Sequence, residues 1–422
     1  MKQIREPHAT VKEHPWNNVK SFYSTIRKQH TQHPIELVPL SPVLQGKQVQ
    51  TAVEIHSLEA KTRLWFKFPA TVQNAVTDLL DPFVTACVFL AMRVGCDVIV
   101  RGPVSKSLIE NLSDFQQIWT KWYPDRYTHV KILPDSIVNE ATQVPQKTAM
   151  MFSGGLDSCF TAWKHTIAAK TFPRRTPDAA ILVHGFDIPL DDTRGFSNTL
   201  LKARQITDSI DLELIPVQYN FRQVVGDWEE SHATALASCL HLFNRRFSAG
   251  LIASSHSYDA LRFPWGSNPL TDTLLSSRQM KIFNDGGECS RWQKAASIAG
   301  WEPAVQHLRV CHKGRHKDEN CGVCAQCLIT ALCFAATRHP IPDCLNVGSI
   351  QQTIKALQLL PIKPSGLLRI QALAAFARER GNTAPWVSDF EACCSFHENR
   401  LNQGAPMGSW MLFRRKWFKA FR

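Results

Sequence analysis

From residue 149 to residue 253 the chain alternates short apolar runs with longer stretches of helical periodicity, and few folds accept that pattern. Residues 149–152, 179–185, 211–217 and 249–253 read as strands. Residues 158–170, with Phe160, Trp163 and Ile167 at helical spacing, and residues 198–210 and 228–242 read as helices. The run Ala179-Ala180-Ile181-Leu182-Val183 has no polar face, which suits a strand covered on both sides in a parallel sheet. Strand–helix alternation of this kind predicts an α/β fold with a doubly wound, mostly parallel sheet. Ligands of such sheets sit outside the carboxyl ends of the strands. That rule gathers the turn from Ser153 to Ser158, Asp187 and residues 254–256 around one expected crevice.

The first strand leads into Ser153-Gly154-Gly155-Leu156-Asp157-Ser158. Strand, glycine turn and helix make a phosphate cradle: glycine lets backbone N–H groups approach an anion, and the helix N-terminus favours negative charge. No Gly-Lys-Ser/Thr closes the turn, which excludes the common P-loop. The three-glycine spacing of a dinucleotide fingerprint is also missing. The bland alternative is a Gly-Gly turn of any α/β unit. Two serines and an aspartate at this spacing favour a nucleotide site.

Thirteen cysteines occur in a chain whose polar N-terminus lacks a signal-peptide core, so thiols and metal are expected before disulfides. Cys311, Cys321, Cys324 and Cys327 stand in the spacing Cys-x9-Cys-x2-Cys-x2-Cys within a charged segment. Cys87, Cys239 and Cys333, by contrast, are scattered through apolar ones. Four soft thiolates fit tetrahedral zinc (Zn2+), with Asn320-Cys321-Gly322-Val323-Cys324 as the tight turn of a zinc knuckle. An iron–sulfur cluster and a redox dithiol are the alternatives. Four thiolates close the coordination shell, so such a metal is structural and not a water activator.

Residues 1–45 are polar and interrupted by proline, and read as a loosely ordered arm or an irregular first element. Residues 49–57 and 63–68 read as strands around a turn at 58–62, 72–94 as a helix broken near Asp81-Pro82, and 97–101 as a buried strand. Residues 105–119 read as an amphipathic helix, 129–133 as a short strand, and 139–147 as a linker. The expected organisation is a smaller N-terminal α/β domain (1–145) that scaffolds or docks a partner, a nucleotide domain (146–340) and a helical C-terminal region (341–422). Within the second, residues 262–277 form a long loop rich in Ser, Thr and Asn, of the kind that lines sites. Asn268, Asp272 and Ser276 there offer hydrogen bonds to a planar heterocycle; a surface excursion is the alternative. Residues 290–300 read as a helix whose Arg291 and Lys294 either reach the phosphates or lie on a solvated face. Residues 346–359 and 367–380 read as amphipathic helices. The tail, 410–422, mixes aromatics with basic residues and reads as a docked helix, with a membrane surface, an acidic partner or nucleic acid as alternatives.

The net charge of +12 suits nucleic acid, an anionic substrate or an acidic partner, and does not choose among them. The longest apolar run, around residues 83–92, is too short to span a bilayer. No membrane span is therefore expected, and a cytoplasmic location follows by default.

The motif Ser153-Gly154-Gly155-Leu156-Asp157-Ser158 resembles the PP-loop of ATP pyrophosphatases, which split ATP to AMP and pyrophosphate while adenylating a carbonyl or carboxyl oxygen. Followed by the four-cysteine spacing, it resembles the 7-cyano-7-deazaguanine synthase (QueC) family over roughly residues 147–340. The resemblance implies a PP-loop fold of the adenine nucleotide alpha hydrolase-like type, with ATP and Mg2+ as cofactors. It implies ATP contacts from Ser153, Gly154, Gly155, Asp157 and Ser158, and zinc on Cys311, Cys321, Cys324 and Cys327. Asp187, at the carboxyl end of a strand, is expected to join the ATP contacts, and Asp157, Ser158 and Lys294 are the expected catalytic residues. The family's Tyr-Gly-Gln-Arg-His segment after the second strand is replaced here by Gly185-Phe186-Asp187-Ile188-Pro189-Leu190, and family members are much shorter. A longer branch, the QueC-like proteins of the Qat and type IV CBASS antiphage systems, is similar in length, in its extra domain and in the loop Gly266-Ser267-Asn268-Pro269-Leu270-Thr271-Asp272.

That branch implies adenylation of a 7-deazaguanine carboxylate and its transfer to an amine of a partner protein from the same defence operon. The alternatives are 7-cyano-7-deazaguanine synthesis proper with ammonia as acceptor, a PP-loop tRNA-modifying enzyme, and a non-catalytic ATP-binding module. Clustered cysteines committed to metal count against sulfur transfer to tRNA, so nucleic acid is the less favoured partner.

Overall fold

The computed structural model describes residues 33–57, 60–139, 146–169, 171 and 175–403. Most of the expected N-terminal arm, the centre of the 58–62 turn, most of the 139–147 linker, the end of the 158–170 helix and the basic aromatic tail lie outside the described residues.

Ten strands form one sheet. They are β1 (Ile35–Gln45), β2 (Gln48–His56), β3 (Lys61–Pro69), β4 (Val98–Ser105), β5 (Ile132–Val138), β6 (Thr148–Met151), β7 (Ala179–His184), β8 (Glu213–Tyr219), β9 (Ala249–Ala253) and β10 (Lys281–Asp285). Their order is β10-β9-β6-β7-β8-β3-β2-β1-β4-β5. From β10 to β8 every pairing is parallel. β8 to β1 are antiparallel, and β1, β4 and β5 are again parallel. The fold is thus α/β with a mostly parallel sheet. Strand order reverses at β6, which has the later β9 on one side and the next strand, β7, on the other. Reversal points of this kind are where open α/β sheets bind ligands.

The residues explain these elements. Apart from Thr148 and His184 at their ends, β6 and β7 are apolar, and both are buried nearly throughout, as the centre of a parallel sheet requires. β3 alternates, with Leu64, Phe66 and Phe68 turned into the core. Of the two readings of residues 1–45, β1 excludes the arm for residues 35–45 and leaves the irregular first element. Its pairing with β4 stops at Leu37, and its register with β2 shifts between Leu40 and Val43. Pro39 and Pro42 therefore lie in a one-sided, irregular stretch that tolerates a missing N–H. β3 pairs with β8 across the expected boundary at 145, in a ladder of only two residue pairs, Phe66 with Tyr219 and Lys67 with Gln218. The Asn220 side chain lengthens that junction: Trp65 N donates to its Oδ1 and its Nδ2 donates to Arg63 O, each at 2.8 Å.

The chain divides into two compact units, and all ten strands belong to the first, formed by the described residues of Met1–Phe152, Ala169–Thr193 and Ile210–Gly287. Its helices include Asp81–Val94, Lys106–Trp122 and Trp228–Leu242. Phe66 stacks on Tyr219 at 3.9 Å, Phe89 meets Trp119 edge-on at 4.8 Å, and Phe68 meets Phe243 at 5.9 Å. Each fully buried side chain of this size contributes about 1.5–3 kcal/mol of transfer free energy.

The second unit comprises Ser153–Ala168, Arg194–Ser209 and the described part of Glu288–Arg422. It is helical, built on Leu156–His165, Arg291–Ile298, Ala325–Ala336, Ile350–Leu359, Pro364–Glu379 and Pro385–Asn402. Ala325–Ala336 is buried from Cys327 to Ala336 because it is apolar on every side. The last helix was not legible as one, and neither was β10. Among the described residues no helix is long and apolar enough to cross a membrane.

Candidate active site: a glycine turn and a cysteine cluster

The chain passes from β6 through Phe152 into the Ser153–Ser158 turn, which belongs to the helical unit. Gly154 adopts φ +70°, a backbone state that L side chains rarely take. Gly155 precedes the helix Leu156–His165 in an extended conformation, and no side chain caps that helix. A Cβ on Gly155 would meet Ser153 Oγ at 3.1 Å and Arg309 O at 3.4 Å. Gly155 N donates to Ser153 Oγ at 3.2 Å, and Ser158 Oγ donates to Gly155 O at 3.1 Å. Ser153 N reaches Ser158 Oγ at 3.3 Å, and the two hydroxyls are also 3.3 Å apart. The serines fold the turn onto the first helical turn and keep their hydroxyls beside a helix N-terminus.

Asp157 stands in the first turn of this helix and receives two cations. Lys294 Nζ donates to its Oδ1 and Arg291 Nη1 to its Oδ2, both at 3.1 Å. Arg291 and Lys294 are three residues apart on the helix Arg291–Ile298 and so share a face. The Lys294 side chain is only 2% exposed, so of the two expected readings the solvated face is excluded. Arg291 also donates to Thr330 Oγ1 at 3.0 Å. Burial alone would raise the Asp157 carboxyl, but the Lys294 ammonium and then the Arg291 guanidinium overcome it and hold the group down to about 2. The helix start is thus flanked by two fixed positive charges and one carboxylate that stays ionised.

Cys311, Cys321, Cys324 and Cys327 converge as their spacing predicts, with all four sulfur atoms within 4.8 Å of one another. Cys324 Sγ lies 3.6 Å from Cys327 Sγ and 3.7 Å from Cys311 Sγ. Four thiolates ~2.3 Å from a zinc ion would be about 3.8 Å apart, so both the donor set and the spacing fit zinc. Gly322 makes the knuckle possible: at φ +71° a Cβ would sit 2.0 Å from Asn346 O. Cys324 then caps Ala325–Ala336, which carries Cys327 in its first turn.

Sequence reasoning missed two residues that hold this arrangement. Asn320, nearly buried, accepts from Val310 N at 2.9 Å and Cys311 N at 3.2 Å through Oδ1, and donates through Nδ2 to Leu308 O and Cys344 O. Arg309 connects the knuckle to the turn. Its N donates to Gly154 O at 2.8 Å, Nη2 to Ser153 O at 3.2 Å, and Nη1 to Lys317 O at 3.4 Å. The only signal in the sequence was its position two residues before the first ligand cysteine.

Asp187, Asn268, Asp272 and Ser276 lie in the sheet unit. Asp187 follows β7, and its charge partly offsets the burial that lowers the nearby Arg222. Gly185, two residues before it, takes φ +110° with the Tyr219 carbonyl oxygen 2.0 Å from where a Cβ would be. The loop residues are bonded within their own loop and to β10. Asp272 is fully buried and accepts from Ser267 Oγ (2.7 Å), Asn268 N (3.0 Å) and Asn284 Nδ2 (2.8 Å). Burial raises its carboxyl to about 6 despite these bonds. Asn268 Oδ1 accepts from Leu270 N and Thr271 N, its Nδ2 donates to Trp265 O at 2.7 Å, and Ser276 Oγ accepts from Ile282 N at 2.9 Å. The hydrogen-bonding groups expected to face a heterocycle set the loop's shape.

Comparison with protein-family models, with curated proteins and with solved structures returned no match to this chain.

Proposed function

We propose that this chain is an ATP-dependent, acid-activating enzyme of QueC-like type, with a 7-deazaguanine carboxylate as substrate and an amine of a partner protein as final acceptor, acting in bacterial antiphage defence. The observation that carries the reading is the Ser153–Ser158 turn: a positive-φ glycine, an uncapped helix start, two hydroxyls, and the cations of Arg291 and Lys294 gathered on Asp157. A helix N-terminus with cations beside it favours a polyanion.

In this reading a substrate carboxylate oxygen attacks the α-phosphorus of ATP and the bond to the bridging oxygen of the β-phosphate breaks. Pyrophosphate leaves. The amine nitrogen then attacks the acyl carbon, AMP departs, and one proton is released. Backbone N–H groups of the turn with Ser153 and Ser158 hold the departing pyrophosphate, while Lys294 and Arg291 balance its charge. Asp157, ionised and fixed by both cations, orients them and is the carboxylate that would share Mg2+ with the phosphates, since that ion takes most of its ligands from phosphate and water. Zinc on the four cysteines would supply rigidity, transmitted to the turn through Arg309.

The test is AMP and pyrophosphate release from ATP with 7-carboxy-7-deazaguanine, with and without proteins co-expressed from the same operon. Release is expected with the acid, and an intact-mass gain on a co-expressed protein identifies the acceptor. Absence of release under every combination refutes the reading in favour of a binding module.

A further inference from the structure

The carboxyl-end loops of the sheet unit bring aromatic rings together from three different segments. Phe186 follows β7, Trp228 and His232 stand on the helix after β8, and His256 and Trp265 follow β9. The rings form one continuous chain: Phe186 to Trp228 at 4.8 Å, Trp228 to His232 at 5.9 Å, His232 to Trp265 at 5.6 Å, and Trp265 to His256 at 5.5 Å. Trp228, His232, His256 and Trp265 are all half-buried. A cluster that served only as core would be closed over, like the Phe89–Trp119 group of the same unit.

The rings are held rigidly. A Cβ on Gly266 would lie 2.5 Å from both Glu229 O and His232 Nδ1, so the loop backbone rests directly on the helix that carries His232. Asn268 bonds the Trp265 carbonyl, and buried Asp272 fixes Asn268. The polar network of the loop therefore presets Trp265. That tryptophan has a buried Nε1 with no hydrogen-bond partner among the described residues. His232 Nδ1 lies 3.1 Å from Trp228 O, which can only accept, so Nδ1 carries the proton and Nε2 is left as an acceptor. Burial lowers this histidine, keeping the ring neutral at neutral pH. The cluster thus offers aromatic faces, one buried N–H donor and one imidazole acceptor, with the Asp187 charge close enough to act on His232.

We propose that Trp228, His232, His256 and Trp265 form a stacking platform for the planar bicyclic ring of the acid substrate, with Trp265 Nε1 and His232 Nε2 reading polar atoms on its edge. The identity of the ring rests on the function proposed above; the platform itself is argued from the sheet unit alone. Base–aromatic stacking tolerates many rings, whereas a paired donor and acceptor select a heterocycle that carries both.

The experiment measures binding of 7-carboxy-7-deazaguanine to the full chain by calorimetry and tryptophan fluorescence, with and without a non-hydrolysable ATP analogue. The variants are Trp265→Ala, Trp265→Phe and His256→Ala. Trp265→Ala is expected to weaken binding about 5- to 100-fold, the range of one base–aromatic stack. Trp265→Phe should keep most of the affinity, and the affinity for the ATP analogue should not change. His256→Ala, on the half-exposed rim, repeats the test if Trp265→Ala fails to fold. Unchanged affinity for the acid in both alanine variants, loss of ATP-analogue binding in its place, or no binding of the acid by the native chain overturns the platform. A native chain that binds the acid but releases no AMP refutes the proposed reaction and leaves the platform standing.

Discussion

Replacing Asp157 with asparagine tests the electrostatic centre of the helical unit. The substitution keeps the shape of the side chain and removes its charge. Two independent magnitudes bound the effect. A carboxyl lowered from 3.8 to about 2 corresponds to about 2.5 kcal/mol of preference for the charged, folded form, at 1.36 kcal/mol per unit. Removing one partner of a buried ion pair costs about 3–5 kcal/mol, and Lys294, 2% exposed, is buried whereas Asp157 at 22% is only partly so. Asp157→Asn should therefore lose about 2.5–4 kcal/mol, besides any loss of activity. The loss of stability follows from the ion pairs on Asp157, and the loss of activity from the function proposed above.

The assay is urea unfolding at neutral pH of the native chain, Asp157→Asn, Lys294→Met and the double variant. Lys294→Met in the asparagine background removes the ammonium that lost its carboxylate, so the double variant should recover at least ~1 kcal/mol over Asp157→Asn. The pH dependence follows from the lowered carboxyl. The contribution is complete above the unfolded value of 3.8 and is lost as pH falls from there toward about 2. The gap between native and Asp157→Asn should close over that window. A single variant within about 0.5 kcal/mol of native, the scatter of neutral surface changes, would refute the reasoning. So would a double variant no more stable than Asp157→Asn.

Cys324→Ser should abolish stoichiometric zinc in elemental analysis and lower Tm by on the order of 10 °C, since bound metal contributes several kcal/mol to such a fold; retained metal with an unchanged melt would show that the cluster does not bind it. Gly185→Ala drives a methyl into the Tyr219 backbone oxygen at a positive φ, a clash of the class that exceeds about 4 kcal/mol, so little soluble protein is expected, and a normal yield with a native melt would contradict the geometry. Asn220→Ala removes both side-chain bonds that extend the β3–β8 junction and should lose about 2 kcal/mol in urea unfolding; a loss below 0.5 kcal/mol would mean that water replaces them, as it does at about neutral exposed sites. Asp272 has the opposite pH sign to Asp157. Its folded value is raised from 3.8 to about 6, so its favourable contribution is complete below 3.8 and falls by about 3 kcal/mol as pH rises through 6. The stability difference between native and Asp272→Asn should shift by that amount between pH 4 and pH 7, and equal differences at both would refute the assignment.

What the sequence disclosed follows the range of the interaction involved. The helix Trp228–Leu242 and strand β9 are legible to the residue because their apolar pattern is local. The cysteine cluster is legible because three of its four members lie within seven residues of one another, from Cys321 to Cys327, and spacing alone brings them together. The β3–β8 pairing is not, since Phe66 meets Tyr219 through no local signal, and an apparent linker separates the two segments. β10 is a short run, Lys-Ile-Phe-Asn-Asp, that becomes a strand through its parallel pairing with β9. The last helix, Pro385–Asn402, has a proline in its first turn, which marks a helix start as readily as a break.

The same distinction separates a motif from a site. The glycine turn can be read as a motif, but its electrostatic character comes from Lys294, 137 residues away, and its backbone is held by Arg309, which belongs to the cysteine knuckle. Three main-chain and guanidinium bonds from Arg309 link Ser153, Gly154 and Lys317, so a metal that fixes Cys311 also restrains the carbonyls of the turn. In the proposed reaction a metal on the cysteines would act at a distance: it would narrow the conformations open to a glycine pair that otherwise has more freedom than any other dipeptide. The two glycines that would let the proposed anion approach closely also make the turn floppy in isolation, and a rigid neighbour bonded to its backbone would remove that penalty before the ligand binds.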